Sequence, residues 1–291
     1  MAKSLKRPEL SVIIPAHNAE STLAPLLEVL LAQSWSAGFE VVVANNRSTD
    51  GTASIVGPRA DTDPRLRLVS ADAQFGPAYA RNAGVNAARG SHLAFCDADD
   101  LVSAGWVEAM GSALRQHELV TGPLELDRLN PSWVSSSRGR SYASEIHLWQ
   151  GIVPCVWSCN FGIRRRHFEE SGGFDESFRV GEDIELSMRL WQMQVRVAFV
   201  PQAVVHYRLR DSQRALWRQG RTFGAADVRL NQRLRELGVS GLPTVGWKTW
   251  LWLPRNAHRL FSKRGRARWL WVASTKVGQI LGVLRRESLQ P

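Results

Sequence analysis

The chain has 291 residues, of which 37 are Lys or Arg and 27 are Asp or Glu, so its formal net charge is +10. Hydrophobic residues make up 44% of the chain and charged residues 22%, which is typical of a globular protein and excludes a wholly disordered one. No run of about 18 apolar residues occurs, and the apolar stretch near the N-terminus is too short for a secretory signal. The sequence therefore predicts a cytoplasmic protein without a membrane-spanning helix.

The first hundred residues alternate short apolar strands with helices. Strands are predicted at residues 11–14, 39–44, 65–70 and 92–96. Helices are predicted at residues 20–33, 52–56 and 77–88, the last with a proline in its first turn. Strands separated by helices of this length indicate βαβ units and a mainly parallel sheet.

The later segments are less regular. Helices are predicted at residues 103–117 and 182–193, strands near 195–200 and 203–207, and a loop rich in Ser, Arg and Gly at 130–144. Helices at residues 212–237 and 255–286 follow, joined by a linker rich in Gly and Pro at 238–246. This pattern predicts an α/β body over residues 1–210 and a helical region over residues 211–291.

Polar clusters follow three of the predicted strands. They are Ala16-His17-Asn18, Asn45-Asn46-Arg47-Ser48 and Asp97-Ala98-Asp99-Asp100. Because ligands of such sheets bind outside the carboxyl ends of the strands, we expect the binding site at this edge. Asp97 and Asp99 are one residue apart after a strand, so both carboxylates can face one Mg²⁺ or Mn²⁺ ion. The alternative is that an Asp only caps the following helix.

Positive charge is concentrated in the last part of the chain. Residues 207–291 contain 18 Lys and Arg against 4 Asp and Glu, together with half of the 12 Trp, whereas residues 1–206 contain 19 against 23. Such a region is expected to dock on an anionic partner. Arginines next to Trp and aliphatic residues over residues 264–286 favour an interfacial helix on anionic lipid, extended by Lys248, Trp250 and Trp252.

The helical region also has a simpler interpretation. It can pack as a subdomain on the body or on a second copy of the chain in a homodimer, with its arginines facing solvent. Nucleic acid is not an expected partner, because no recognised nucleic-acid module is visible.

Six motifs occur in a characteristic order. They are SVIIPAHNAESTL at 11–23, VVVANNRSTDGT at 41–52, GPAYARNAGVNAARG at 76–90, LAFCDADD at 93–100, GGFDESF at 172–178 and GEDIELSMRLW at 181–191. Over about Leu10 to Arg208 this ordered set closely resembles the family 2 glycosyltransferases of the GT-A fold. The resemblance implies a Rossmann-like, mainly parallel mixed sheet flanked by helices, with a C-terminal helical extension. It also implies a donor half over about residues 1–100 and an acceptor half over about 101–210.

The resemblance further implies a nucleotide-sugar donor and a pocket that binds it. Asn45 stands where the family usually has an Asp that contacts the base, so a UDP-sugar is the first expectation while cytidine, thymidine and guanosine donors stay open. For Arg81 the alternative is an ion pair on its own helix, and for Asn45 it is a turn cap. The residues implied for the pocket are Pro15, Ala16, His17, Asn18, Asn45, Arg81, Asp97, Ala98 and Arg208.

The family's metal and catalytic groups correspond to acidic residues of this chain. The resemblance implies a divalent cation, Mn²⁺ or Mg²⁺, on Asp97 and Asp99, with His206 as a third ligand or else as a packed side chain. It implies Asp183 as the general base, with Glu182 orienting it or contacting the acceptor. The alternative is that both acids only complement the dipole of their helix.

The implied reaction is an in-line displacement with inversion at the sugar carbon. Trp157 and Asn160 are expected in the sugar and acceptor pocket. A lipid-linked or cell-surface glycan precursor, reached from the inner face of the membrane, fits the basic region, whereas a soluble small-molecule acceptor fits if that region only packs. A non-catalytic GT-A binding protein is a further alternative. A nucleotidyltransferase is disfavoured because its Gly-rich phosphate loop is missing after Ile14.

Overall fold

A computed structural model of the chain describes residues 7–138, 145–239 and 250–287, with side chains up to residue 284. These residues form two compact units. The sheet unit contains residues 7–125, 145–149 and 153–207, and the helical unit contains residues 126–138, 150–152, 208–239 and 250–287. Lys248, most of the predicted linker at 238–246 and the end of the predicted loop at 130–144 lie outside the described residues.

The elements alternate through the first half of the chain. In order they are β1 (Leu10–Ala16), α1 (Leu23–Leu31), β2 (Phe39–Asn45), α2 (Thr52–Thr62), β3 (Leu66–Ser70), α3 (Pro77–Ala87), β4 (His92–Phe95), β5 (Leu101–Val102), α4 (Trp106–Gln116), β6 (Leu119–Thr121) and β7 (Leu124–Glu125). The next are α5 (Ser132–Arg138), β8 (His147–Trp149), β9 (Val153–Cys155), β10 (Phe161–Arg164), α6 (Arg165–Glu170), α7 (Glu182–Gln192), β11 (Val197–Phe199) and β12 (Val205–His206). The last are α8 (Gln213–Glu236), α9 (Trp252–Arg255), a 3₁₀ helix (Ala257–Phe261) and α10 (Lys263–Glu287).

The central sheet has seven strands in the order β11-β6-β10-β4-β1-β2-β3. β1 pairs in parallel with β2 and β4, β2 with β3, and β6 with β11, whereas β10 runs antiparallel to both β4 and β6. Nearly all residues of β1 and β2 are buried. Strands that are covered on both faces have near-continuous apolar sequences, as these two do. The predicted mainly parallel mixed sheet flanked by helices is confirmed.

Two small sheets complete this unit. β12 lies between β5 and β7, and β8 forms a hairpin with β9. Phe95 of β4 stacks on Phe161 of β10 with ring centroids 4.5 Å apart, and Phe174 meets both rings edge-on. This aromatic packing holds the turn around Phe174 against the centre of the sheet.

The segment predicted as a loop at 130–144 begins with a helix. Val134 is buried, and the hydroxyls of Ser135, Ser136 and Ser137 donate back to carbonyl oxygens three or four residues earlier. Serine has a modest helix propensity, so its abundance favoured a loop in the sequence. Packing of α5 against α10 within the helical unit explains why the helix forms instead.

The helical unit is built on close contact between α8 and α10. A Cβ atom added to Gly224 would overlap the carbonyl oxygen of Thr275, and one added to Gly278 would overlap that of Arg221. The two helices therefore touch through their backbones. They run in the same direction, because Gly220 lies beside Ser274 and Gly282 lies beside Val228. Ser212 caps α8 by accepting a hydrogen bond from the N–H of Ala215. No helix in the described part of the chain is long and apolar enough to cross a bilayer.

Candidate active site

The three polar clusters lie at one edge of the central sheet. Ala16 at the end of β1 is in register with Asn45 at the end of β2, and Asn45 with Ser70 of β3. On the other side of β1, Ile13 lies beside Phe95 of β4, so the acidic loop after β4 leaves the sheet at the same edge. Strand pairing therefore gathers the clusters at the edge where such sheets bind ligands.

Asn18 joins the loops that follow β1 and β2. Its Oδ1 accepts a hydrogen bond from the N–H of Thr49 at 2.8 Å, and its own N–H donates to Ser48 Oγ at 3.0 Å. Its φ of 50° is a left-handed conformation, which Asn adopts more readily than most residues. Asn18 thus fixes the shape of the edge.

His17 presents an exposed ring at this edge. Its Nδ1 lies 2.7 Å from the carbonyl oxygen of Asn46, and its ring meets Phe75 edge-on with centroids 4.8 Å apart. Pro15 is half-buried and Ala16 is buried, so these two offer mainly backbone to a ligand. Of these three residues, only His17 presents an exposed side chain.

The two adjacent asparagines after β2 have different surroundings. The Asn46 amide donates to the carbonyl oxygens of Ala71 and Gln74 and accepts from the N–H of Gly76 at 2.9 Å. Asn45 Oδ1 is buried and, within the described part of the chain, has no hydrogen-bond partner. Such an acceptor costs about 1–3 kcal/mol unless a donor reaches it. Asn46 is therefore a framework residue, and the Asn45 oxygen does not cap the turn.

Arg81 of α3 forms two buried ion pairs. Its Nη2 donates to Asp97 Oδ1 at 2.6 Å and its Nη1 donates to Glu182 Oε1 at 2.8 Å. Burial opposes the charge, but Asp97 and Glu182 raise the pKa of Arg81 above its ordinary value. Arg81 thus links the acidic loop after β4 to the first turn of α7. Arg81 therefore forms ion pairs with residues outside its own helix, and its direct contact with a nucleotide stays a prediction.

The neighbouring Asn82 holds the turn before α7, a role that the sequence did not reveal. Its Oδ1 accepts from the N–H of Phe174 at 3.0 Å, and its Nδ2 donates to the carbonyl oxygen of Phe174 and to Glu176 Oε1, each at 2.9 Å. Asp175 Oδ1 accepts from the N–H of Ser177 at 2.9 Å within the same turn. The turn that leads to α7 is therefore fixed by α3.

Glu182 and Asp183 occupy the first turn of α7. Asp183 Oδ2 accepts a hydrogen bond from the N–H of Ser158 at 3.1 Å, and its Oδ1 accepts one from the N–H of Ile184 at 2.9 Å. Burial raises the pKa of Asp183, and these backbone donors and Arg81 oppose the rise. Burial also raises the pKa of Glu182 to about 7, again against Arg81. A carboxylate whose pKa is raised accepts a proton more readily near neutral pH.

The backbone around Ser158 is tied to α7 by a second contact. Ser187 Oγ accepts from the N–H of Val156 at 3.1 Å and donates to the carbonyl oxygen of Asp183 at 2.7 Å. These bonds hold the segment between β9 and β10 beside the acidic pair. The segment can therefore form one wall of a pocket that contains Asp183.

His147 is a candidate wall residue that the sequence analysis missed. Its ring lies 5.1 Å from the ring of Trp157, tilted by 31°, and both side chains are half-buried. Burial lowers the pKa of His147, and the charge of Asp183 opposes that shift. No sequence motif surrounds His147, and only its pairing with Cys155 in the β8–β9 hairpin brings it here.

Three potential metal ligands lie together in the sheet unit. Donor atoms of Asp97, Asp100 and Cys159 all lie within 4.8 Å of one another. Burial raises the pKa of Cys159 well above its ordinary value, so its thiol keeps its proton. Mg²⁺ and Mn²⁺ prefer oxygen ligands, so the two carboxylates fit such an ion and the thiol contributes little. The donor set of the acidic loop is thus compatible with a hard divalent cation.

The other two predicted metal ligands lie outside that group. Asp99 is half-buried in the same loop, and His206 Nδ1 lies 2.7 Å from Glu125 Oε2. Strand pairing sets His206 opposite Leu101, one residue after the acidic loop. Tyr207 follows it, and burial, together with nearby acidic groups, raises the pKa of its phenol well above the ordinary value. The sequence analysis did not single out Tyr207.

Asn160 and Arg208 were also expected to contact ligand. The Asn160 side chain is fully buried, accepting from Trp106 Nε1 at 2.9 Å and donating to the carbonyl oxygens of Pro123 and Ala203. We therefore assign Asn160 to the framework rather than to the pocket wall. Arg208 belongs to the helical unit, at the start of residues 208–239. Its contact with a diphosphate stays a prediction.

Comparison with protein families identifies two matching models. The model of Glycosyl transferase family 2 matches residues 11–172, and that of Glycosyl transferase family group 2 matches residues 92–286. The second match extends through most of α10. The first match lies within residues 10–208, where the motifs indicated the resemblance, and the second continues beyond Arg208 into the helical unit.

Two curated relatives illustrate the likeness in sequence. The chain is 32% identical to the succinoglycan biosynthesis protein ExoO of Rhizobium meliloti over 225 residues, covering 71% of this chain and 62% of that protein. It is 28% identical to the pre-mycofactocin glycosyltransferase of Mycobacterium tuberculosis over 258 residues, covering 82% of this chain and 52% of that protein. The chain thus spans less than two thirds of the length of either relative.

Solved structures show the likeness in fold. The mannosyltransferase PcManGT from Pyrobaculum calidifontis, in complex with GDP-Man and Mn²⁺, gives a TM-score of 0.64 at 20% identity, covering 96% of this chain and 88% of that one. TarS residues 1–349 of S. aureus, in complex with UDP-GlcNAc, gives a TM-score of 0.57 at 17% identity, covering 96% and 92%. At such identities the match concerns the fold alone, and it confirms the GT-A architecture.

Proposed function

The chain belongs to Glycosyl transferase family 2 and is a glycosyltransferase, and we propose that it moves a sugar from a nucleotide-sugar donor to a hydroxyl acceptor with inversion at the sugar carbon. The observation that carries the proposal is the Arg81 bridge. It holds the acidic loop, where a donor diphosphate would bind, against the first turn of α7, where Asp183 is placed to accept a proton. One guanidinium group thus contacts both the proposed donor side, through Asp97, and the proposed acceptor side, through Glu182.

The donor occupies the edge formed by the β1, β2 and β4 loops. Asn45, whose buried oxygen has no donor among the described residues, is proposed to accept a hydrogen bond from an N–H of the base. The uracil and guanine rings both carry such a group, so a UDP-sugar remains the first choice. The other proposed contacts are Pro15, Ala16, His17, Asn18, Arg81, Asp97, Ala98 and Arg208.

A divalent cation, Mn²⁺ or Mg²⁺, is proposed to bind in the acidic loop. Asp97 and Asp99 are its proposed ligands with His206, and the position of Asp100 beside Asp97 adds a fourth candidate. When bound, such a cation neutralises charge on the departing diphosphate. The mannosyltransferase PcManGT was solved with Mn²⁺, which supports a metal in this fold.

Asp183 is proposed as the general base. As the acceptor oxygen bonds to the sugar carbon, the bond from that carbon to the diphosphate oxygen breaks, and the hydroxyl proton passes to the Asp183 carboxylate. Its two backbone hydrogen bonds hold the carboxylate in place, and its raised pKa suits proton transfer. Glu182, held by Arg81, is proposed to orient this turn. Trp157, with His147 beside it, is proposed to stack on the sugar or acceptor ring.

The acceptor is proposed to be a lipid-linked or cell-surface glycan precursor. The name of ExoO refers to succinoglycan biosynthesis, which is consistent with this class. The basic helical unit is proposed to hold the enzyme peripherally at the inner face of a membrane, where such acceptors would be found. A soluble acceptor is the alternative.

The test is a panel of nucleotide sugars incubated with the protein and Mn²⁺. We expect slow hydrolysis of one donor, loss of that activity in Asp99→Ala, and retention in the matched surface variant Asp61→Asn. With an acceptor present, the product anomer read by NMR should be inverted relative to the donor. A panel without binding or turnover, or a retained anomer, would contradict the proposal.

A further inference from the structure

A cationic pocket lies in the helical unit where the 3₁₀ helix leads into α10. Its volume is about 510 Å³, and its walls include Ser136, Trp252, His258, Arg259, Arg264 and Arg268. None of these residues takes part in the proposed transfer reaction. Arg259 lies on the 3₁₀ helix, whereas Arg264 and Arg268 lie on α10. The packing of these two elements therefore brings the three guanidinium groups together. We call this cavity the arginine pocket.

The arginine pocket lies at the positive end of a helix dipole. α10 has 25 residues and no acidic residue in its first turn, which instead contains Lys263, Arg264 and Arg266. Within the described ranges, neither Arg264 nor Arg268 has a carboxylate within 4.0 Å. Cations at a helix N-terminus are unfavourable unless an anion joins them. This charge arrangement therefore fits a phosphate group.

The pocket is partly preorganised. Arg259 Nε donates to Asn256 Oδ1 at 2.9 Å, and its guanidinium lies 5.9 Å from the ring of Trp252. Ser262 Oγ accepts from the N–H of Gly265 at 3.0 Å and so caps the start of α10. These contacts restrict the Arg259 side chain and the start of α10 in the protein without ligand, which lowers the conformational entropy lost on binding.

An exposed aromatic residue lies in the chain between Arg259 and Ser262, which both line the pocket. Phe261 is 91% exposed, and the adjacent Leu260 is 36% exposed. Burial of a phenylalanine in an apolar medium is favourable, and this side chain does not gain that free energy in water. An apolar group next to clustered arginines is the combination that binds the interface of an anionic bilayer, whereas a nucleic acid or a free anion needs no inserting side chain.

We propose that the arginine pocket binds the phosphate of an anionic membrane lipid while Phe261 inserts among the acyl chains. The proposal gives a specific site to the membrane contact suggested under the proposed function, and it rests on that placement. Its experiment measures binding and not glycosyl transfer, so a failure here leaves the catalytic assignment untouched.

The test is cosedimentation of the full chain with vesicles of phosphatidylcholine, with and without phosphatidylglycerol. We expect binding only to the anionic vesicles, weakened by salt. The double variant Arg264→Gln/Arg268→Gln should lower the partition coefficient about 30-fold, because each arginine near such a surface contributes about 1 kcal/mol. Phe261→Ala should lower it about tenfold.

Controls separate the pocket from general attraction. Arg221→Gln/Arg235→Gln removes the same charge from exposed positions of α8 and should change binding much less. Thermal unfolding must show that all variants are folded. Equal losses in the two double variants, or unchanged binding of Phe261→Ala, would overturn the proposal. So would a pocket-dependent thermal shift with inorganic phosphate in a protein that ignores vesicles, since that would indicate a free-anion site.

Discussion

The sheet unit and the helical unit treat charge in opposite ways. The sheet unit buries a guanidinium and pairs it with two carboxylates, Asp97 and Glu182. The helical unit leaves Arg264 and Arg268 at a helix start with no carboxylate partner among the described residues. Buried charge is tolerated only when paired, whereas charge waiting for a partner must stay accessible. The first arrangement is that of a preorganised reaction site, and the second is that of a docking surface.

The two units also differ in packing. Large apolar side chains such as Phe95 and Phe161 fill the sheet unit, whereas α8 and α10 meet through glycines. The sheet unit should therefore be sensitive to loss of volume or of a paired charge. The helical unit should be sensitive to gain of volume. Each of the following substitutions tests one side of this contrast.

Arg81→Met should have the largest effect, a loss of about 3–5 kcal/mol in the free energy of unfolding. It leaves the buried carboxylates Asp97 and Glu182 without their counter-charge. Arg115→Met is the matched control, because its ion pair with Glu9 is half exposed and should contribute little to stability. Urea denaturation of both variants measures the difference. Similar losses would show that the Arg81 bridge contributes no more than a surface pair.

Asp227→Asn should stabilise the helical unit at alkaline pH. Burial raises the pKa of Asp227 to about 6 from 3.8, although Gln279 and Lys276 oppose the shift. The folded state thus favours the protonated carboxyl. The contribution of Asp227 to the free energy of unfolding is therefore fully present below about pH 4 and is lost as the pH rises through about 6. The variant should gain about 2–3 kcal/mol above about pH 7 and nothing near pH 4. Thermal unfolding at both pH values checks this, with exposed Asp211→Asn as control; a gain independent of pH would contradict it.

Gly224→Ala should destabilise the helical unit by about 1–3 kcal/mol, because the new methyl group meets the carbonyl oxygen of Thr275. This reverses the usual effect of the substitution within a helix. Gly57→Ala in α2 is the control, because nothing other than its chain neighbours lies within 4 Å; Pro58 follows it and limits the gain in helix propensity, so stability should change much less. The pair is compared by thermal unfolding. A gain in stability for Gly224→Ala would show that α8 and α10 are not in backbone contact.

The sequence predicted the fold because its pattern is local. Apolar runs between helices indicate a parallel sheet, and the strand ends locate Asn45 and Asp97 without any knowledge of tertiary contacts. Burial of polar groups could not be predicted in this way. Asn160 belongs to the framework because Trp106, which lies 54 positions earlier, donates to it. The same holds for His147, whose position depends on a hairpin that no motif marks.

The roles of neighbouring residues were equally hidden. Asn45 and Asn46 have the same side chain. Among the described residues, only the Asn46 amide is held by later ones, donating to the carbonyl oxygen of Gln74 and accepting from the N–H of Gly76. The ion-pair partners of Arg81 were not identified from the sequence, because they lie 16 and 101 positions away along the chain. Such pairings depend on which chain segments fold side by side, and short motifs do not indicate this.

The most direct test of the central claim is transfer by Asp183→Asn. The amide keeps the size of the side chain, and its one oxygen can still accept one of the two backbone hydrogen bonds, from Ser158 or from Ile184. Asp183 is not a proposed donor contact, so donor binding measured by calorimetry should be unchanged. Transfer should fall about 10²–10⁴-fold, and the rise of activity with pH that a base requires should disappear. Loss of transfer with intact donor binding would support Asp183 as the base in the site that Arg81 holds together. Transfer at the rate of the unaltered protein would contradict it.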